Sequence, residues 1–122
     1  MAVRRIIANL PATDPVRLAR FYCDVFGLAI PLEMGWIAFL KGDARPEIEL
    51  HTASEGGSGT AMPAISIAVD DLDAVETAAR AAGAAPVYGP VTEPWGVRRF
   101  YLRDPEGNLI NVLAHTDAHH EG

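Results

Sequence analysis

The sequence predicts an α+β fold made of two βαβββ modules, whose curved sheets together form a cleft. Two observations carry this. Residues 12–28 (ATDPVRLARFYCDVFGL) and 68–84 (AVDDLDAVETAARAAGA) read as one segment written twice: Asp14 or Asp70 opens an amphipathic stretch, and Gly27 or Gly83, each 56 positions from its counterpart, closes it. A short apolar run precedes each copy (residues 3–10 and 64–69), and strand-like segments follow. At 122 residues, each half alone would bury too little surface to fold comfortably. The halves therefore share a core or exchange elements with a second copy of the chain.

The elements follow in order. After the strand at 3–10, Asp14 caps a helix and Pro15 fills its first position, where a missing N–H costs nothing. Leu18, Phe21, Tyr22, Val25 and Phe26 recur at helical spacing and are expected inward. Gly27 then supplies a left-handed stop. A weak strand at 29–33 precedes clearer ones at 36–41 and 47–52, with Gly42-Asp43 as a turn. Residues 55–61 (EGGSGTA) read as a flexible linker. The expected boundaries are module one at 3–53, linker at 54–62, module two at 63–115 and a polar tail at 116–122. In module two a strand at 64–69 leads to a helix opening at Asp70 or Asp71. Leu72, Val75, Ala78, Ala79 and Ala82 face inward there, an alanine-rich stripe that lets the helix lie close to its sheet. Strands at 97–103 and 109–114 flank the turn Asp104-Pro105-Glu106-Gly107-Asn108.

Composition narrows the function. The net charge of −6 disfavours nucleic acid, whose phosphates need a basic face; it is compatible with a cationic ligand and equally with plain solubility. No apolar run is long enough to span a bilayer, and the N-terminus lacks a signal-peptide layout. The lone Cys23 forms no internal disulfide and reads as a small packed hydrophobe, so a cytoplasmic setting is expected. His115, His119 and His120 read as a chain end and not as a metal site.

Several residues are candidates for a site. In Glu47-Ile48-Glu49-Leu50-His51, strand alternation puts Glu47, Glu49 and His51 on one face. That trio suits a solvated face, a wall for polar or cationic groups, or part of a divalent-metal site. Trp36 begins a strand. Trp95 lies in Glu93-Pro94-Trp95-Gly96, where an indole is hard to bury and suits ligand stacking. Arg98 and Arg99 follow, and one of them is expected to face the same pocket, either binding an anion or pairing with a nearby carboxylate; Arg98 is the ligand-binding candidate. No nucleophile–base pair or phosphate-binding glycine loop is evident.

Together, TDPVRLARFYCDVFGL, VDDLDAVETAARAAGA and PWGVRRFYLRDPEGNLINVL resemble the vicinal-oxygen-chelate (glyoxalase/bleomycin-resistance/dioxygenase) superfamily over nearly the whole chain. The resemblance implies paired βαβββ modules, usually in a homodimer. It aligns the superfamily's metal-ligand positions with Ile7, Glu49, Ala64 and Asn111. Of these only Glu49 is a good ligand; a catalytic divalent ion needs about three protein donors. The resemblance is nearest the bleomycin-resistance branch, through ANLPATDPVRLARFY, MGWIAFLKGD and VDDLDAVETAARAAG. It implies antibiotic resistance by sequestration of a planar, cationic drug, without cofactor or catalysis. Trp36, Glu47, Glu49, Trp95, Arg98 and Asn111 are the expected ligand-binding residues. The alternative is a metal-dependent lyase, isomerase or dioxygenase using Glu49 and His51.

Overall fold

Helix α1 (Pro15–Phe26) starts where the sequence says it must. The Asp14 carboxylate accepts from the Arg17 N–H, Pro15 occupies the first turn, and Gly27 ends the helix at φ 72°. In this computed structural model, which describes residues 2–43 and 47–116, the flanking elements are β1 (Val3–Pro11), β2 (Ala29–Glu33), β3 (Ile37–Lys41) and β4 (Glu49–Ala53). The second set is β5 (Ile65–Val69), α2 (Leu72–Ala81), β6 (Tyr88–Glu93), β7 (Val97–Arg103) and β8 (Leu109–His115). The polar tail beyond Thr116, with His119 and His120, lies outside the described residues.

The chain divides into two compact units. One holds residues 7–62; the other holds residues 63 onward together with the first six, so β1 contributes to both. Strand order is β2-β3-β4-β1 in the first unit and β5-β8-β7-β6 in the second. In each, the first strand runs parallel to the last: Ala8 to Pro11 pair with Leu50 to Ala53, and Ile65 to Ala68 with Ile110 to Leu113. The fold is α+β, with two βαβββ modules. The helix N-caps are Asp14 and Asp71, 57 positions apart. Asp70 does other work: its carboxylate accepts from the Ala2 N–H at 2.7 Å.

Packing differs from the sequence pattern on α1. The inward residues are Pro15 and Ala19, with Tyr22 and Cys23 packed against Ala38 and Leu40. Phe21, Val25 and Phe26, expected inward, are more than half exposed. The apolar stripe of α1 is wider than the sheet beneath it, and small Ala19 takes the contact line. On α2, Leu72 and Ala79 are buried and Val75 packs beside them, while Ala78 is exposed.

Two further segments take their form from backbone pairing. Residues 55–61 form a tied loop: the Gly56 N–H donates to the Thr60 carbonyl, the Thr60 N–H and Oγ1 donate to the Gly57 carbonyl, and Glu55 accepts from the Gly59 N–H. Gly56 and Gly57 are buried. Strand β6 had no sequence signal, because Gly89 and Pro90 interrupt it. It is a sheet edge whose register shifts between Tyr88 and Val91, the position at which such residues are tolerated.

Candidate functional site

In the second unit the two faces of one sheet carry opposite chemistry. The α2 side is apolar: Val69, Phe100, Ile110 and Val112 are buried with Leu72, and Ile67 and Leu102 pack against them. Alternation sends the intervening residues to the other side, namely Ser66 and Ala68 on β5, Val97, Arg99 and Tyr101 on β7, and Asn111 and Leu113 on β8.

That second face carries a strip of buried polar side chains running from β5 to β6. The Asn111 side-chain amide donates to Ser66 Oγ at 3.1 Å. Asn111 stands opposite Tyr101 in the β7–β8 register. Arg99, two residues from Tyr101, donates through Nε to Glu93 Oε2 at 2.8 Å, and the Tyr88 hydroxyl donates to the same oxygen at 2.7 Å. The Arg99 guanidinium also lies 4.9 Å from the Tyr101 ring centre, 5.0 Å from that of Trp95 and 5.5 Å from that of Tyr88. Arg99 is 3% exposed and Glu93 5%, so this pair is fully withdrawn from water. A buried cation needs such a counter-charge, and the ring faces add cation–π attraction. Burial first, then the hydrogen bond to Glu93, holds the Tyr88 hydroxyl above its ordinary pKa and therefore neutral.

The strip ends in one unmatched group. Asn111 is 7% exposed, and among the described residues its Oδ1 is the one buried side-chain oxygen or nitrogen without a hydrogen-bond partner. An acceptor left in this state costs about 1–3 kcal/mol.

The sequence-expected residues divide as follows. Asn111 and Trp95 belong to this face; Trp95 packs beside Ala68, Val97 and Leu113 and covers Arg99. Arg98 does not. It is exposed, its neighbour Phe100 fixes its parity toward the α2 side, and it reaches Thr92 Oγ1 at 3.5 Å. Arg99 is the inward arginine, a choice that apolar Phe100 and Leu102 could have decided from sequence. Ser66, Tyr88 and Glu93 carry no local signal in the sequence, whereas the same alternation identifies Tyr101.

In the first unit, Glu49 and His51 share a face, His51 opposite Asn9 on β1 and opposite Phe39 on β3. The His51 and Phe39 rings meet edge-on at 4.5 Å. Glu47 precedes β4, which begins at Glu49; it is exposed, 4.0 Å from Lys41 Nζ. Trp36 precedes β3 and is half-buried, its carbonyl accepting from the Ser54 N–H. Beside the start of α1 lies a surface hollow of about 500 Å³, edged by Asp14, Arg17, Leu18 and Phe21, none of them an expected site residue.

The metal-ligand positions aligned by resemblance carry few donor atoms. Ile7 and Ala64 offer no lone pair, and among the described residues no three His, Cys, Asp or Glu side chains gather as a metal-binding group. Among the described residues no helix is long and apolar enough to cross a membrane.

Two βαβββ units, each with its first and last strands parallel, define a protein of the duplicated-module class. Residues 6–112 match the family model described as Glyoxalase/Bleomycin resistance protein/Dioxygenase superfamily, and the chain belongs to that superfamily. No curated protein sequence matches it significantly. Among solved structures, a protein described as NAD-dependent benzaldehyde dehydrogenase from Legionella pneumophila superposes with TM-score 0.73 at 10% identity, over 91% of this chain and 99% of that one. Streptomyces coelicolor methylmalonyl-CoA epimerase, in complex with 2-nitronate-propionyl-CoA, superposes with TM-score 0.68 at 19% identity, over 93% and 96%. A superfamily member from Vibrio splendidus 12B01 gives TM-score 0.64 at 14% identity, over 93% and 99%. These likenesses share the fold. Several similar structures are methylmalonyl-CoA epimerases, so the nearer placement with bleomycin-resistance proteins is not carried by them.

Proposed function

We propose that this protein binds a small organic molecule without a catalytic metal ion and without making or breaking bonds in it. One observation carries the reading. Asn111 Oδ1 is a buried acceptor with no partner at the end of a strip whose other members satisfy one another. Such a group is costly in a purely structural face and useful in a binding one. The lack of donor atoms at Ile7 and Ala64 supports binding over metal-assisted chemistry. Sequestration of a planar drug is the finer form of this reading, with Trp95 and Trp36 as reporters. The homodimer implied by the sequence resemblance would cover apolar side chains such as Phe21, Val25 and Phe26, which a single chain leaves exposed; light scattering tests that.

A second reading has one observation in its favour: several structures of the same fold are epimerases, and Glu49 and His51 share a strand face. Metal analysis of tag-free protein separates the two. The expected result is no stoichiometric transition metal, together with quenching of tryptophan fluorescence by planar ligands that weakens in Trp95→Phe or Trp36→Phe. Tightly held zinc, nickel, manganese or iron, lost in Glu49→Ala, would overturn the proposal.

A further inference from the structure

We infer that the ligand group that meets Asn111 is an uncharged hydrogen-bond donor, an amide N–H or a hydroxyl, and neither a cation nor a carboxylate. This rests on the small-molecule-binding reading above and specifies its chemistry.

The inference follows from what the polar strip has left to offer. Its cation and its anion are already matched. Arg99 Nε meets Glu93 Oε2 at 2.8 Å, the three rings of Tyr88, Trp95 and Tyr101 close around the guanidinium, and Tyr88 donates its hydroxyl to the same carboxylate. The pair sums to zero charge, so it presents no excess of either sign. At the other end, the Asn111 amide spends a donor on Ser66, and what remains unmatched is the carbonyl oxygen. Asn111 is 7% exposed, Ser66 5% and Tyr101 2%. Any group that reaches Oδ1 therefore arrives stripped of water.

Under that condition charge decides. An ammonium or amidinium loses its hydration and finds one neutral carbonyl in return, with no free carboxylate on the strip to balance it. A carboxylate meets an acceptor and is repelled. A neutral N–H or O–H loses one water hydrogen bond and regains one, and it relieves the standing cost of the orphaned oxygen. The net charge of −6 thus describes the whole chain and does not set the preference at Asn111.

Three planar probes of nearly equal shape separate the cases: benzamide, benzamidinium and benzoate. The side-chain amide resonances of Asn111 in the wild-type protein, assigned through their loss in Asn111→Asp, report contact directly and need no variant to bind. The expected result is that benzamide moves those resonances with at least about tenfold tighter binding than either charged probe. In Asn111→Asp the order inverts, benzamidinium becoming the best of the three, which a merely structural role for Asn111 would not produce. Benzamidinium or benzoate binding at wild-type Asn111 as well as benzamide overturns the inference and leaves small-molecule binding intact. So does benzamide binding elsewhere without touching Asn111. If no probe binds anywhere and a metal is found in its place, the underlying reading falls, and the inference with it.

Discussion

Replacing Arg99 by methionine isolates the strongest electrostatic feature of the fold. Methionine keeps the length and packing of the side chain among Tyr88, Trp95 and Tyr101 and removes the charge. Glu93, 5% exposed, is then a buried carboxylate that keeps the Tyr88 hydroxyl but has lost its counter-charge. Removing one member of a buried ion pair costs about 3–5 kcal/mol, because the survivor is left desolvated. For a 122-residue chain the unfolding entropy is about 0.26 kcal/mol/K, so Tm should fall by about 12–20 °C. The reverse change, Glu93→Gln, should cost less, about 1–3 kcal/mol. Its amide oxygen still accepts from Arg99 and Tyr88, and the three rings still face the cation. The double variant should be more stable than Arg99→Met alone, since no buried charge is left unmatched. Differential scanning calorimetry of all four proteins decides this. A fall in Tm below about 4 °C for Arg99→Met, or a double variant in which the two losses simply add, would refute the reasoning.

Other expectations follow from local geometry. Gly89 has φ +75°, and a Cβ there would sit 2.6 Å from the Arg99 carbonyl oxygen. Gly89→Ala should therefore cost at least about 1–3 kcal/mol in urea unfolding, and a neutral effect would show that the edge strand gives way. Thr52 is wholly buried and donates Oγ1 to the Pro15 carbonyl at 2.8 Å, fastening β4 to the first turn of α1. Thr52→Val should lose about 1–3 kcal/mol, with faster amide exchange at the start of α1 as the local readout. The Asp104 carboxyl is held below its ordinary value, first by the Asn108 side chain and then by the Asn108 backbone N–H. A depressed folded-state pKa gives stability that is present above the unfolded value, near 3.8, and lost as pH falls through the lower folded value. In Asp104→Asn the urea midpoint should decline less steeply below about pH 4 than in the wild type; parallel curves would count against the assignment.

Much of this fold was legible because local chemistry and tertiary structure agree. Asp14-Pro15 and Gly27 mark both ends of α1 with capping groups that act within a few residues, so no long-range information was needed. What the sequence hid depends on partners distant in the chain. The stripe of α1 contains more apolar residues than the sheet can cover, and only the position of β3 reveals that Ala19, and not Phe21, meets Ala38 and Leu40. Gly89-Pro90 reads as a break because propensity is local, whereas β6 is held by pairing with β7. The site shows the same division. Asn111 and Trp95 could be named from motif and turn chemistry, but the pairing of Glu93 with Arg99 could not. Alternation says which residues share a face and not which side chains meet.

The two sides of the second unit's sheet make the case for function independently of any resemblance. On the α2 side the strands solve their packing with Phe100, Ile110, Val112 and Leu102. The same strands could have been filled likewise on the other side, at no desolvation cost. Instead that side buries Ser66, Asn111, Arg99 and Glu93, and it leaves an oxygen unmatched. If this arrangement served stability, removing its unmatched end should hurt. If it serves binding, the double variant Ser66→Ala/Asn111→Val should be about 1 kcal/mol more stable than the wild type. It deletes the orphaned acceptor together with its donor-side partner and puts β-branched bulk on a strand. The same protein should lose the response of the Asn111-side face to benzamide while Trp95 fluorescence stays unchanged. A double variant that is less stable by more than about 1 kcal/mol would mean that the polar strip is a structural network. The unmatched oxygen of Asn111 would then be no evidence for a ligand.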